Sequence, residues 1–114
     1  MRAVTPRLTR RLTLEERVAL ADGGGGETHA WSALGVLWAE LRPSSGREVL
    51  SGLRPGSRVT HRITIRSSPI GSPKRPEAAQ RFRMGSRIFD IRGVAEADPA
   101  DAYLTCFVEE GPYA

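Results

Sequence analysis

The stretch Val59-Thr-His-Arg-Ile-Thr-Ile-Arg66 decides the fold. Val59, His61, Ile63 and Ile65 fall on one side of an extended chain, and Thr60, Arg62, Thr64 and Arg66 on the other. Period-two alternation rich in β-branched residues marks a strand with one buried and one wet face. On a helix the same residues would scatter around the surface. The wet face offers two arginines and two threonines, which suit solvent or a polyanion. His61 lies on the apolar side, where a packed, hydrogen-bonded imidazole is expected rather than a metal ligand.

Upstream of this strand, Ser45 followed by Glu48 three residues on fits the start of a helix of two turns at most. Gly52 and Pro55-Gly56 stop it. Trp31–Leu41 reads as a long strand, bent or bulged near Gly35. Its two tryptophans are expected in or at the edge of the core, the alternative being an anchor in a partner's pocket. Gly23–Gly26 is four consecutive glycines, which no regular element tolerates. It reads as a hairpin insertion, or else as a mobile loop that orders on docking. Over residues 7–20 local signals favour a short helix. Leu8, Leu12, Leu14, Val18 and Leu20 sit near helical spacing, and Thr13-Leu-Glu-Glu16 resembles a capping box. Alternation through Leu8, Arg10, Leu12 and Leu14 also allows a strand. Residues 1–6 read as an arm.

Downstream the alternation collapses. Ser67–Ala79 carries three prolines and one glycine in thirteen residues, so it cannot join a central sheet. A loop of this length is usually functional or disordered, and Lys74 and Arg75 at its middle are placed to meet phosphates. Arg81–Met84 and Arg87–Ile91 flank Gly85-Ser86, a type II′ hairpin signal. Ala95–Asp101 is an acidic turn around Asp98-Pro99. Ala102–Glu109 is a final strand in which Leu104, Cys106 and Val108 share a face, making Cys106 an inert buried thiol. Residues 110–114 form a fraying tail.

A chain of 114 residues makes one domain, 1–114, with one modest core. Twelve glycines and eight prolines favour short strands over long helices. The expected class is mainly all-β. It is a small β-barrel or sandwich of about five to six strands, with one short helix and long loops. The net charge of +4 admits a polyanionic partner, but thirteen acids interspersed among seventeen bases make no polybasic tail. A single cysteine excludes an intrachain disulfide and fits a reducing compartment. The basic N-terminal stretch lacks a following apolar run, so no signal peptide is expected. No run approaches the roughly 20 apolar residues of a membrane span.

Catalytic signatures are missing. No Cys/His set has metal-ligand spacing. Gly23–Gly26 lacks the Lys-Ser/Thr ending of a phosphate loop. Glu15-Glu16 and Glu109-Glu110 read as solvated faces rather than acid–base couples. The expectation is a non-enzyme with no cofactor and no metal.

Three segments in series carry a resemblance. Trp38-Ala-Glu-Leu-Arg-Pro-Ser-Ser-Gly-Arg-Glu48 is followed by Val59–Arg66, then by Met84-Gly-Ser-Arg-Ile-Phe-Asp-Ile91 with Val94. Their order and spacing over roughly 7–110 resemble the phage head–tail joining proteins, the head-closure or stopper family. The composition is also similar to copies found in gene transfer agents. The resemblance implies a strand through roughly 7–21 and a β-barrel assembling as a ring of six or twelve copies. It implies as partners the portal-adaptor ring, a tail terminator or tail tube protein, and double-stranded DNA in the channel, with no membrane. The particle neck, assembled in the bacterial cytoplasm, would be its location. A mobile channel loop maps onto Ser67–Ala79, with Gly23–Gly26 as the rival. Lys74, Arg75 and Arg66 are then candidates to face the channel DNA, and Trp31, Arg47, Glu48 and Asp90 to line subunit or ring–ring interfaces. The alternative is a free nucleic-acid-binding β-barrel, which would need exposed aromatics among its basic residues. Val59–Arg66 has none.

Overall fold

Six strands account for the alternating segments: β1 (Arg10–Ala21), β2 (Glu27–Pro43), β3 (His61–Arg66), β4 (Arg81–Met84), β5 (Arg87–Glu96) and β6 (Tyr103–Glu110). The computed structural model describes residues 5–21, 23–44, 58–97, 100 and 102–111. The strands close into a barrel in the order β1-β2-β3-β6-β5-β4. Every neighbouring pair is antiparallel. β3, the strand read first, sits between β2 and β6, with Ile63 opposite Leu41 and Cys106.

The core follows the alternation. Leu12 and Leu14, Ile63 and Ile65, and Leu104, Cys106 and Val108 point inward, and Phe82 and Phe89 fill the remaining volume. The local helical reading of residues 7–20 is overturned in favour of the strand that the resemblance implied over roughly 7–21, which is β1, Arg10–Ala21. Each position in β1 gains a ladder partner in β2, whereas a helix would bury only part of its leucines and leave Glu27–Trp38 of β2 unpaired. The short helix expected after Ser45 lies outside the described residues.

Two irregularities bend the sheet into closure. Leu14 pairs with Gly35 but Glu15 with Ala33, so Leu34 is an extra residue in β2, next to the glycine where a bend was expected. Ile91 pairs with Val108 but Gly93 with Phe107, so Arg92 is extra in β5. Such bulges increase local twist and bend the strand that carries them. The β4–β5 turn has positive φ at Gly85 and not at Ser86, as a II′ turn requires.

The topology explains the long connection. β3 and β4 lie three places apart whichever way the barrel is traversed, so the chain between them must cross one end of it. The crossing is ordered. Ser72 N–H donates to Pro69 O and Arg75 N–H to Ser72 O, each at 3.0 Å. Pro76 is fully buried. Ala79 N–H bonds Ile91 O at 3.2 Å, and Ile91 N–H bonds Gln80 O at 2.9 Å.

β1 and β2 outrun the barrel. β4 pairs with β1 only over Thr13–Glu15, and β3 with β2 only over Ala39–Pro43. Beyond those spans, Glu16–Ala21 and Glu27–Ser32 pair with each other alone. This two-stranded ribbon stretches the molecule to 59 Å, against 29 and 26 Å across.

Candidate assembly surfaces

The crossing segment brings cations to one end of the barrel. Arg75 is half-buried, and its guanidinium donates from Nη1 to Ser68 O at 2.7 Å, so it braces the loop on itself. Lys74 is exposed, with its aliphatic stem 3.7 Å from the position a Cβ on Gly35 would occupy. Arg66 is exposed at the end of β3 and borders a hollow of about 230 Å³ with Leu8, Val36, Trp38 and Ser68. Of the three channel candidates, Arg66 and Lys74 present their charge to solvent and Arg75 spends part of its hydrogen-bonding capacity within the loop.

Trp31 and Asp90 meet on a different face. Both line an open groove of about 420 Å³, together with Glu16, Arg17, Gln80 and Arg92. The Arg81 guanidinium lies 4.0 Å from the centroid of the Trp31 ring. A cation on an aromatic face is held by the ring quadrupole. Asp90 stands 3.8 Å from Arg92 Nη2, which also reaches Glu109 Oε1 at 3.1 Å. Ala79, at φ +76°, forms part of the groove rim. Arg47 and Glu48 lie outside the described residues.

Two features escaped the sequence. Glu15, read as solvated, is only 5% exposed. It accepts hydrogen bonds from Arg81 Nε at 2.8 Å and Arg83 Nε at 3.0 Å, across the β1–β4 seam that closes the barrel. The spacing of Arg81 and Arg83 places both on one strand face, but no local signal names the strand opposite. Trp38, expected in or near the core, is instead 57% exposed, and Val36 beside it 44%. In β2 it is Leu37 and Ala39 that pack on the interior, which leaves Val36 and Trp38 on the outer face of the barrel. Trp38 lies opposite Arg11 of β1.

Several other arginines are committed to carboxylates. Arg87 grips Glu110 through two bonds of 2.7 and 2.9 Å, and Arg42 pairs with Glu40 at 3.0 Å. The Arg87 hydrogen bonds hold the Glu110 carboxyl below the usual carboxylate range. Glu109 and Glu110 therefore bind arginines rather than face water. His61 is packed as expected, edge-on to Phe89 at 5.5 Å and 2.9 Å from Thr60 Oγ1. Burial pushes the Cys106 thiol up to about 12. A thiol so protonated is no nucleophile at neutral pH.

Against known proteins, residues 4–111 match the family described as phage head completion protein. Among solved structures, the chain is similar to a chain of the virion of a native gene transfer agent particle. Identity is 44%, coverage 96% of this chain and 100% of that one, and the TM-score 0.72. It is also similar to protein SF1141 of Shigella flexneri 2a, at 26% identity, with 95% and 96% coverage and a TM-score of 0.69. No curated protein matches it.

Proposed function

The chain belongs to the phage head completion protein family, and from that premise we propose that it forms a closed ring in the neck of a tailed phage or gene transfer agent particle. It is a structural component of the particle, acting where head meets tail. In the proposed arrangement six or twelve copies sit between a portal-adaptor ring and a tail terminator or tail tube protein. They dock the tail and retain or pass DNA. The observation that carries this reading is the 44% identity, over nearly the whole chain, to a chain of a gene transfer agent virion.

A channel that passes DNA should not grip it. An eight-residue strand such as β6 rises about 26 Å, alongside about fifteen phosphates of a duplex. Six chains at +4 each would bring about +24, more than enough to arrest the polymer if all of it faced the lumen. The five arginines Arg42, Arg81, Arg83, Arg87 and Arg92 spend their charge on Glu40, Glu15, Glu110 and Glu109. Arg66 and Lys74, both exposed near the crossing segment, are the cations proposed to face the channel. Trp31 and Asp90, which share one groove, are the proposed interface pair. Particles assembled without this chain should be tailless heads that have lost their DNA. Normal tailed particles would overturn the proposal.

A further inference from the structure

Among the described residues, the ribbon formed by Glu16–Ala21 and Glu27–Ser32 has two free edges, since no strand flanks β1 beyond Glu15 or β2 before Ala39. Free edges are normally blunted by charged residues or proline, because unpaired N–H and C=O groups template further pairing. β2 carries no Lys, Arg, Asp, Glu or Pro from Thr28 to Ala39. On β1 the corresponding run, Val18-Ala-Leu-Ala21, is also free of charge and proline. Leu20 is 49% exposed, and Ala19, Ala21, Thr28 and His29 are exposed too. A two-stranded ribbon standing off its core is marginal in water. Apart from Glu16, Arg17 and Glu27 at its two ends, this one is uncharged, as a strand awaiting a neighbour would be.

Symmetry names the neighbour. In a cyclic ring all ribbons point the same way. Side by side, β2 of one copy then meets β1 of the next, and because β1 and β2 run in opposite directions the contact is antiparallel, the more stable ladder. It joins two different edges, so it is a head-to-tail contact that repeats until the ring closes. Charge does not oppose it, since the facing runs Val18–Ala21 and Thr28–Ser32 carry no like charges. Val18 pairs with Ala30 and Leu20 with Thr28 within one ribbon, so copies related by rotation bring Leu20 of one near Thr28 of the next.

Resting on the ring reading above, we infer that the β1–β2 ribbons of successive copies pair edge to edge into one continuous sheet lining the ring. The partner of this surface is a second copy of the same chain. The contact is short for a stable dimer, which normally buries about 800 Å² on each side. Pairs form weakly, and closure of the ring supplies the avidity.

Particles built from an equal mixture of L20C and T28C chains, treated with a short bifunctional maleimide, test this. The native Cys106 is buried and does not compete. The mixture should give covalent dimers of this chain that neither variant gives alone. Several copies per neck without such dimers, or cross-links only to a head or tail protein, would overturn the inference and leave the ring standing. A single copy per neck would overturn the ring itself. A second variant replaces Val18–Ala30 with Asn-Gly, which keeps every pairing of the barrel. It should fold and melt cooperatively yet be lost from the neck. Its presence there at wild-type copy number would also overturn the inference.

Discussion

At the scale of single residues, Glu15 shows how the seam is held. Its carboxylate is buried, but its two partners are not equally so, with Arg81 19% and Arg83 47% exposed at the side chain. Glu15→Ala therefore leaves two guanidiniums that water can reach, and the cost should be about 2 kcal/mol, the scale of charge-assisted hydrogen bonds. Removing both arginines strands the carboxylate instead, and that double variant should lose about 3–5 kcal/mol. Urea titrations of the three chains measure the difference; equal losses would contradict the assignment. Glu110 makes a pH prediction. Its folded pKa lies below its unfolded one because Arg87 bonds the charged form. The stabilisation is thus complete above the ordinary carboxylate range and is lost as pH falls through the depressed folded value. Wild type should outlast Glu110→Gln in denaturant at pH 7, and the gap should narrow below about pH 4. A gap that widens in acid would refute the pairing.

At the scale of elements, β4 is the weakest link in closure. It has four residues, and Phe82 is its only fully buried side chain, opposite Leu14 on β1 and Phe89 on β5. Phe82→Ala should cost about 3–5 kcal/mol by cavity formation, with faster backbone exchange at the β1–β4 seam than at the β2–β3 pair. Uniform exchange would show that the seam is not where the barrel opens. The strands themselves were legible, because alternation in β3, β6 and the β4–β5 hairpin is a local property. β1 was ambiguous from local signals, since Thr13-Leu-Glu-Glu16 satisfies a helix start while the alternation around it allows a strand, and pairing with β2 decides for the strand that the resemblance implied. Trp38 was misjudged for a related reason. Apolar character marks a strand as half-buried, but which face is inward depends on the bulge at Leu34 and on what covers the outside.

At the scale of the whole molecule, the long segment Ser67–Ala79 changes meaning. Its length looked like a functional loop, yet a strand order in which β3 and β4 stand opposite each other requires a crossing of this kind. Closure and mobility are separate matters: Pro76 is buried while Ile70, at 86% exposure, reaches into solvent. Family membership was legible from three short motifs in fixed order, because such motifs record sequence kinship without needing contacts. Groupings of distant residues were not legible. Trp31 and Asp90, far apart in sequence, share a groove because β2 and β5 bring them to one face. The ribbon had no sequence signal of its own, because a free edge exists only once every other strand has found its neighbour. The central claim is that this barrel repeats around a channel between head and tail. A symmetry-resolved electron-microscopy map of the particle neck tests it most directly. The map should contain a closed ring of these barrels around the DNA path, with Arg66 and Lys74 turned toward the axis. A neck that lacks the chain, or holds it as isolated copies outside the channel, would contradict the account.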